Sequence, residues 1–331
     1  MNIRLQSILL FMLVASWTVA AQELNRKFYE EAESFRKSMP AGLQQRQCDA
    51  IRRAIDGNTE LLDSVRKSRN GVPQLPDGIL AKMVAPNLCL FCPEKPASSQ
   101  RPLLLYLHGG CWAFGSINSC AAYCASVASS GDCCVAAIDY RLAPENPYPA
   151  ALEDAREAFL WLKENASRLG CDSLRISVGG DSAGGNLAVA MALIREITPQ
   201  IKSLILHYPV TKVYADNSES WKKYGEGYGL DADLMEISNR AYASDVTFPY
   251  VSVAHASAGQ LSGLPPTMII SAGRDILCCQ GEEFARQLRD AGVRVSRYEF
   301  SSAVHLFITV PGQPSAFAEA VRLSAGFLNR H

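Results

Sequence analysis

The residues best suited to chemistry lie between Ser177 and Leu187, which read S-V-G-G-D-S-A-G-G-N-L. An apolar, β-branched run, Leu174 to Val178, leads in, and a helical pattern rich in Ala, Leu, Val and Met, Ala183 to Ile197, leads out. Between them Gly180-Asp181-Ser182-Ala183-Gly184 is a G-x-S-x-G pentapeptide in the strand–turn–helix setting that exposes a serine hydroxyl. Gly180 and Gly184 carry no Cβ, so strand and helix can close around a strained Ser182. The helix head favours negative charge developing at the hydroxyl. A glycine-rich turn with an incidental serine would show the same five letters. The chemistry therefore needs a base, an acid and a set of oxyanion donors elsewhere in the chain.

Serine is a weak nucleophile until a base removes its proton, and the base needs an acid to fix its tautomer. Downstream of Ser182 stand His207, His255, His305 and His331. His207 lies inside an apolar strand pattern, His255 in an interrupting segment and His331 at the C-terminus. His305 follows the last strand pattern, in a loop at the carboxyl edge of the sheet, and is the expected base. Asp275, in Ala272-Gly273-Arg274-Asp275 directly after a strand pattern, is the expected acid, with a helix N-cap as its bland alternative. Asp245, Asp216 and Glu299 are weaker acids by position. Oxyanion donors are expected from the Ala183 N–H and from Gly109 and Gly110, in the loop His108-Gly109-Gly110-Cys111-Trp112. His108 is read as a loop-fixing residue. The residues expected to contact substrate are Cys111, Trp112, Asp181, Trp221, Tyr224 and Leu306.

These groups need a scaffold that gathers them at one edge. Strand patterns at 103–107, 133–138, 174–178, 203–207, 267–271 and 294–300 alternate with helical patterns at 118–129, from Pro149 to near Gly170, at 282–291 and at 315–329. Such alternation predicts an α/β protein with a parallel sheet covered on both faces. Two further strand patterns, 79–85 and 88–91, precede it. The chain divides into a leader (1–21), N-terminal helices (22–75), a first core part (76–210), an insertion (211–262) and a second core part (263–331). Phe28, Ala32 and Phe35 share one face of the first N-terminal helix. These helices and the aromatic-rich insertion are expected to cap the strand ends, where open α/β sheets bind ligands.

The chain has 331 residues, 48% hydrophobic and 20% charged, with a net charge of −1. That balance gives no electrostatic reason to expect nucleic acid or an anionic membrane as a partner. Arg4, the apolar run Ile8 to Val14 and Val19-Ala20-Ala21 form a leader pattern with cleavage expected after Ala21, the alternative being an uncleaved anchor. The chain holds 11 cysteines, an odd number. Cys120, Cys124, Cys133 and Cys134 read as small apolar core residues. Cys89-x-x-Cys92 has redox or zinc-half-site spacing without a second pair to match it, so no metal is expected, and a disulfide or two stays open.

With these residues the chain resembles the hormone-sensitive-lipase family of α/β-hydrolases. The resemblance rests on His108-Gly109-Gly110, Asp139-Tyr140-Arg141-Leu142-Ala143-Pro144-Glu145, Pro147-Tyr148-Pro149-Ala150-Ala151, Gly180 to Asn186 and Gly263-Leu264-Pro265-Pro266. It implies an α/β-hydrolase fold with a helical cap, a Ser182–His305–Asp275 triad and neither cofactor nor metal. Three departures stand out. Cys111 replaces the third glycine of the H-G-G-G loop and would narrow the acyl pocket. Ile276-Leu277-Cys278-Cys279 replaces a Pro-Leu-Arg-Asp-like run. Leu306 stands where the family has glycine, which would stiffen the histidine loop. The expectation is an exported serine carboxylesterase acting on a small-molecule ester with a short acyl chain, carbohydrate esters among them. No nucleic acid and no stable membrane association are expected as partners, and a homodimer stays open. Two alternatives remain: a non-catalytic small-molecule receptor on the same fold, and a hydrolase of amide, peptide or formamide bonds.

Overall fold

The computed structural model describes residues 3–331, with side chains from Ala21 onward. The leader expected over residues 1–21 therefore lies, but for Ala21, outside the residues described in full. No helix among the described residues is long and apolar enough to cross a membrane.

The chain opens with α1 (Ile3–Ser38), α2 (Leu43–Ile55) and α3 (Glu60–Arg69). It continues through β1 (Ile79–Ala85), β2 (Leu88–Pro93), β3 (Arg101–Leu107), α4 (Ile117–Gly131), β4 (Cys134–Ile138) and α5 (Ala150–Asn165). Then come β5 (Cys171–Asp181), α6 (Ala183–Ala192), β6 (Leu204–His207), α7 (Glu219–Tyr224), α8 (Ala232–Tyr242) and α9 (Ala258–Leu261). The last elements are β7 (Thr267–Arg274), α10 (Cys278–Asp290), β8 (Val295–Val304) and α11 (Pro314–Leu328).

The eight strands form one sheet in the order β1-β2-β4-β3-β5-β6-β7-β8. From β4 to β8 neighbouring strands are parallel, while β1 and β2 form an antiparallel hairpin at one edge. Along β3 the side chains of Leu103, Leu105 and Leu107 enter one core cluster, and those of Leu104 and Tyr106 enter the other. Helices cover both faces, so successive strand residues are all buried and the sequence reads as an unbroken apolar run.

Two expectations change in detail. The helix after Ser182 ends at Ala192, short of Ile197. There the Thr198 hydroxyl donates to the carbonyls of Ala192 (2.8 Å) and Ile194 (2.9 Å), satisfying groups that a continued helix would have used. Cys134, expected as an apolar core residue, is disulfide-bonded to Cys92. β2 and β4 pair antiparallel with Phe91 opposite Val135, which sets Cys92 and Cys134 across from each other in the next step of the ladder. That pairing joins strands separated in the sequence by β3 and α4, so local pattern does not reveal it.

The N-terminal helices and the 211–262 segment meet above the sheet edge. The Gln44 side chain accepts the Asp231 N–H at 2.8 Å, and Arg36 Nε donates to the Gly227 carbonyl at 2.7 Å.

Candidate active site

Parallel pairing points the carboxyl ends of β5, β7 and β8 to one edge, and the serine, aspartate and histidine each follow one of those ends. Ser182 sits between β5 and α6 at φ 54°, ψ −118°, a conformation that side chains other than glycine adopt only under strain. The close approach of the two elements maintains it. A Cβ on Gly184 would overlap the Leu107 carbonyl, and one on Gly180 would overlap the backbone of Gly184. The Ser182 N–H donates to the His207 carbonyl at 2.9 Å, fastening the turn to β6.

The Ser182 hydroxyl lies 3.2 Å from His305 Nε2, and His305 Nδ1 lies 2.6 Å from Asp275 Oδ2. All three residues are buried. Asp275 Oδ1 also accepts the Leu277 N–H at 3.0 Å, so one carboxylate orients the imidazole and caps the following turn. The His305 loop is held from both sides. Its N–H donates to the Tyr228 carbonyl at 3.2 Å, and its carbonyl accepts from the Gln313 side chain at 3.2 Å. Gln313 also brackets the Val304 backbone, donating at 3.1 Å and accepting at 3.0 Å. The imidazole packs on Tyr208, with ring centroids 4.3 Å apart.

The remaining histidines and acids are engaged elsewhere. His207 is fully buried beside the Tyr123 hydroxyl (3.2 Å), and burial pushes its pKa down to about 3. His255 pairs with the Tyr214 hydroxyl at 3.1 Å. Asp245 accepts from Thr247, Asp216 from Ser218 and Glu299 from Arg297.

The loop after β3 carries three successive left-handed residues: Gly110 (φ 119°), Cys111 (φ 56°) and Trp112 (φ 55°). The turn closes where the Ala113 and Phe114 N–H groups donate to the Gly110 carbonyl, at 3.1 and 2.8 Å. Gly109, expected as an oxyanion donor, is committed otherwise: its N–H donates to Asp181 Oδ1 at 3.0 Å. The N–H groups of Gly110, Cys111 and Ala183 have no partner among the described residues. Of the loop's N–H groups, those of Gly110 and Cys111 thus stay available where that of Gly109 does not. His108 holds the turn from within. Its Nδ1 bonds the Gly109 carbonyl at 2.8 Å, its ring stacks on Tyr140 at 4.2 Å, and its carbonyl accepts the Tyr140 hydroxyl at 2.7 Å.

Several residues expected at the substrate are placed otherwise. Asp181 is buried with its Oδ1 bonded to Gly109 and, at 3.1 Å, to the Tyr106 hydroxyl; burial raises its pKa to about 6 against the pull of those two donors. Trp112 is wholly buried and stacks on Tyr242 of α8 at 4.2 Å, because its left-handed backbone turns the indole into the core. Trp221 is buried in the main core cluster. Leu306, at φ 74°, packs with Ala32, Phe35 and Val304. This is the conformation glycine tolerates best. Tyr224 is half-buried, edge-on to Tyr228 at 4.9 Å. The Cys111 side chain is nearly buried, and burial raises its thiol pKa.

This arrangement can be set beside known proteins. A family model described as the α/β hydrolase fold matches residues 104–309. Esterase LipI of Mycobacterium tuberculosis is 35% identical over 232 residues, covering 69% of this chain and 72% of the relative. The chain belongs to the hormone-sensitive-lipase-type carboxylesterase family of α/β-hydrolases. It is a serine hydrolase of the carboxylesterase type. Carboxylesterase NlhH of the same organism is 36% identical over 237 residues, 69% of this chain and 73% of the relative. Ethyl acetate hydrolase of Pseudomonas putida is 37% identical over 213 residues, 62% of this chain and 65% of the relative. Among solved structures, a thermostable esterase from Pseudomonas putida superposes with a TM-score of 0.75 at 26% identity, over 89% of this chain and 99% of that one.

Family motifs acquire physical meaning in this esterase. Asp139 accepts the Ile117 N–H at 2.6 Å at the start of α4, and Arg141 pairs with Asp154. Glu145 pairs with both terminal nitrogens of Arg66 on α3 (2.6 and 2.9 Å), while Arg66 Nε reaches the Ala113 carbonyl at 2.9 Å. Tyr106, Gln313 and Arg66 support the site without being legible as site residues; each acts through partners 8 to 79 positions away. Among the described residues, Cys92, Cys134 and Cys171 have metal-ligand spacing, but two of them are bonded to each other.

Proposed function

We propose that this chain is an exported esterase hydrolysing short-chain acyl esters through Ser182, His305 and Asp275. The observation that carries the reading is the continuous hydrogen-bond path from Ser182 Oγ to His305 to the Asp275 carboxylate. His305 Nε2 takes the serine proton as Oγ attacks the ester carbonyl. The resulting imidazolium gives that proton to the departing alcohol, and the same nitrogen then activates water against the acyl-enzyme. Asp275 holds the tautomer with Nε2 free and stabilises the imidazolium. The N–H groups of Gly110, Cys111 and Ala183 are the donors assigned to the tetrahedral oxygen. Losing one such donor costs roughly a hundred- to a thousandfold in rate.

The short-acyl preference is supported by the burial of Ser182 and by the nearly buried Cys111 where a glycine would leave space. The ethyl acetate named for one relative agrees with it. Export is supported by the leader pattern before Gln22, and with it the physiological role assigned is release of acetyl groups from carbohydrate esters. The deciding experiment is a p-nitrophenyl ester series from acetyl to decanoyl beside acetylated sugars and a matched anilide, with S182A as control. Turnover highest at acetyl to hexanoyl, absent in S182A, is the expected result. Anilide hydrolysis matching the ester rate, or activity surviving in S182A, would overturn the reading.

A further inference from the structure

The three residues assigned to catalysis follow the ends of β5, β7 and β8, yet two of their loops are tied together from outside the sheet. Arg274, the last residue of β7 and the chain neighbour of Asp275, donates from Nη2 to Glu33 Oε1 on α1 at 2.5 Å. The same oxygen accepts from Arg36 Nη1 at 2.9 Å. Arg36 in turn donates through Nε to the Gly227 carbonyl, and its guanidinium lies 3.9 Å above the Tyr228 ring. The Tyr228 carbonyl accepts the His305 N–H. One carboxylate oxygen therefore joins a path to the acid, through Arg274, and a path to the base, through Arg36 and Tyr228.

We propose that Glu33 is a positioning residue: the Arg274–Glu33–Arg36 clamp holds the Asp275 and His305 loops at their working separation. The proposal rests on the catalytic reading of Ser182, His305 and Asp275. Three observations distinguish this clamp from an ordinary surface ion pair. Its side chains are 14 to 25% exposed, whereas the pairs Arg26–Glu30 and Lys27–Glu23 on the same helix are more than half exposed and screened by solvent. Two aromatic rings, Tyr29 and Tyr228, flank Arg274, each with its centroid 5.2 Å from the guanidinium carbon. The same helix also packs Ala32 and Phe35 against Val304 and Leu306, the residues on either side of His305. The Arg274 partnership holds Glu33 below the usual carboxylate range, so the clamp stays charged at neutral pH.

Without the Glu33 charge, two guanidinium groups face each other beside the acid loop. A displacement of about 1 Å between reacting groups costs on the order of a hundredfold in rate, while substrate contacts remain. The test measures kcat and KM on p-nitrophenyl acetate for E33Q, R274Q and the E33Q/R274Q double variant, with rates normalised to sites titrated by acyl-enzyme burst. S182A is assayed in parallel, and thermal melts accompany every variant. The expected result is a kcat loss of roughly ten- to a hundredfold in E33Q with KM within about threefold, and a double variant no worse than the poorer single, as residues acting as a unit require. Unchanged kcat per titrated site in E33Q, or losses that multiply in the double variant, would overturn the clamp while S182A remains dead. Activity surviving in S182A would instead overturn the catalytic reading. If E33Q does not fold, E33D carries the same test by withdrawing the charge one methylene, with kcat loss at constant KM supporting the clamp and unchanged kcat overturning it.

Discussion

Asp181 binds the Gly109 N–H at 3.0 Å, and through that bond the residue before the serine sets the loop that faces it. A Cβ on Gly109 would collide with the Asp181 carboxylate, so the glycine is needed for this approach. The same oxygen accepts the Tyr106 hydroxyl, leaving both donors satisfied inside a buried site. Elbow and glycine loop are thus tied together, and the N–H groups of Gly110 and Cys111 follow directly from the residue that Asp181 holds.

Asp181→Leu should leave the Gly109 N–H and the Tyr106 hydroxyl unpaired, destabilising the fold by about 1–3 kcal/mol for each. Turnover should fall roughly a hundredfold as the loop shifts. Denaturant unfolding and p-nitrophenyl acetate kinetics measure both. Wild-type turnover in this variant would show that the loop keeps its direction unaided.

The Asp181 carboxyl titrates near pH 6 in the folded chain, raised by burial from an ordinary value of about 3.9 in the unfolded chain. The folded state therefore binds more protons between those values, and this group's contribution to stability falls as pH rises from about 4 to 6. Above pH 6 the charged carboxylate should burden the fold by on the order of 3 kcal/mol. Asp181→Asn, which keeps the Oδ1 acceptor, should flatten that slope in unfolding free energies measured from pH 4 to 7. An identical slope in variant and wild type would assign the dependence to other groups.

Asp275→Asn should leave the melting temperature close to wild type, because Oδ1 still accepts the Leu277 N–H. The amide would face His305 Nδ1 with a donor and favour the tautomer that cannot take the serine proton. Turnover should drop by about three to four orders of magnitude. A near-normal rate would move the acid role to another carboxylate.

The Cys92–Cys134 bond closes a loop with a sequence separation of 42. In the chain-entropy account, opening a loop of that size costs about 4 kcal/mol at most. Thermal melts with and without a phosphine reductant should show a clear loss in wild type and none in a Cys92→Ser/Cys134→Ser variant. A reductant-insensitive wild type would mean the bond contributes little.

Much of this protein was determined locally. The unbroken apolar strands and alternating helices dictate a parallel sheet buried on both faces. The G-x-S-x-G spacing dictates a serine on a tight turn, since close approach at Gly180 and Gly184 is a requirement of the two adjoining elements alone. Parallel strands put their carboxyl ends on one side, which is why Asp275 and His305 were legible as partners of Ser182 from chain order.

Tertiary structure decided what depends on side chains meeting across the fold. Gly109 and Gly110 look alike in sequence, yet only Gly109 is consumed by Asp181, and that choice is made by an oxygen 72 residues away. Cys134 looks like any buried strand residue until β2 pairs beside it. Trp112 and Leu306 look like pocket residues until left-handed backbone turns one indole onto Tyr242 and directs the leucine toward Phe35. Glu33 is one charge among many on a polar helix until Arg274 arrives 241 positions later in the chain. Periodicity and turn chemistry act over a few residues and can be read in order, whereas hydrogen-bond partners and packing neighbours exist only once distant segments occupy the same space.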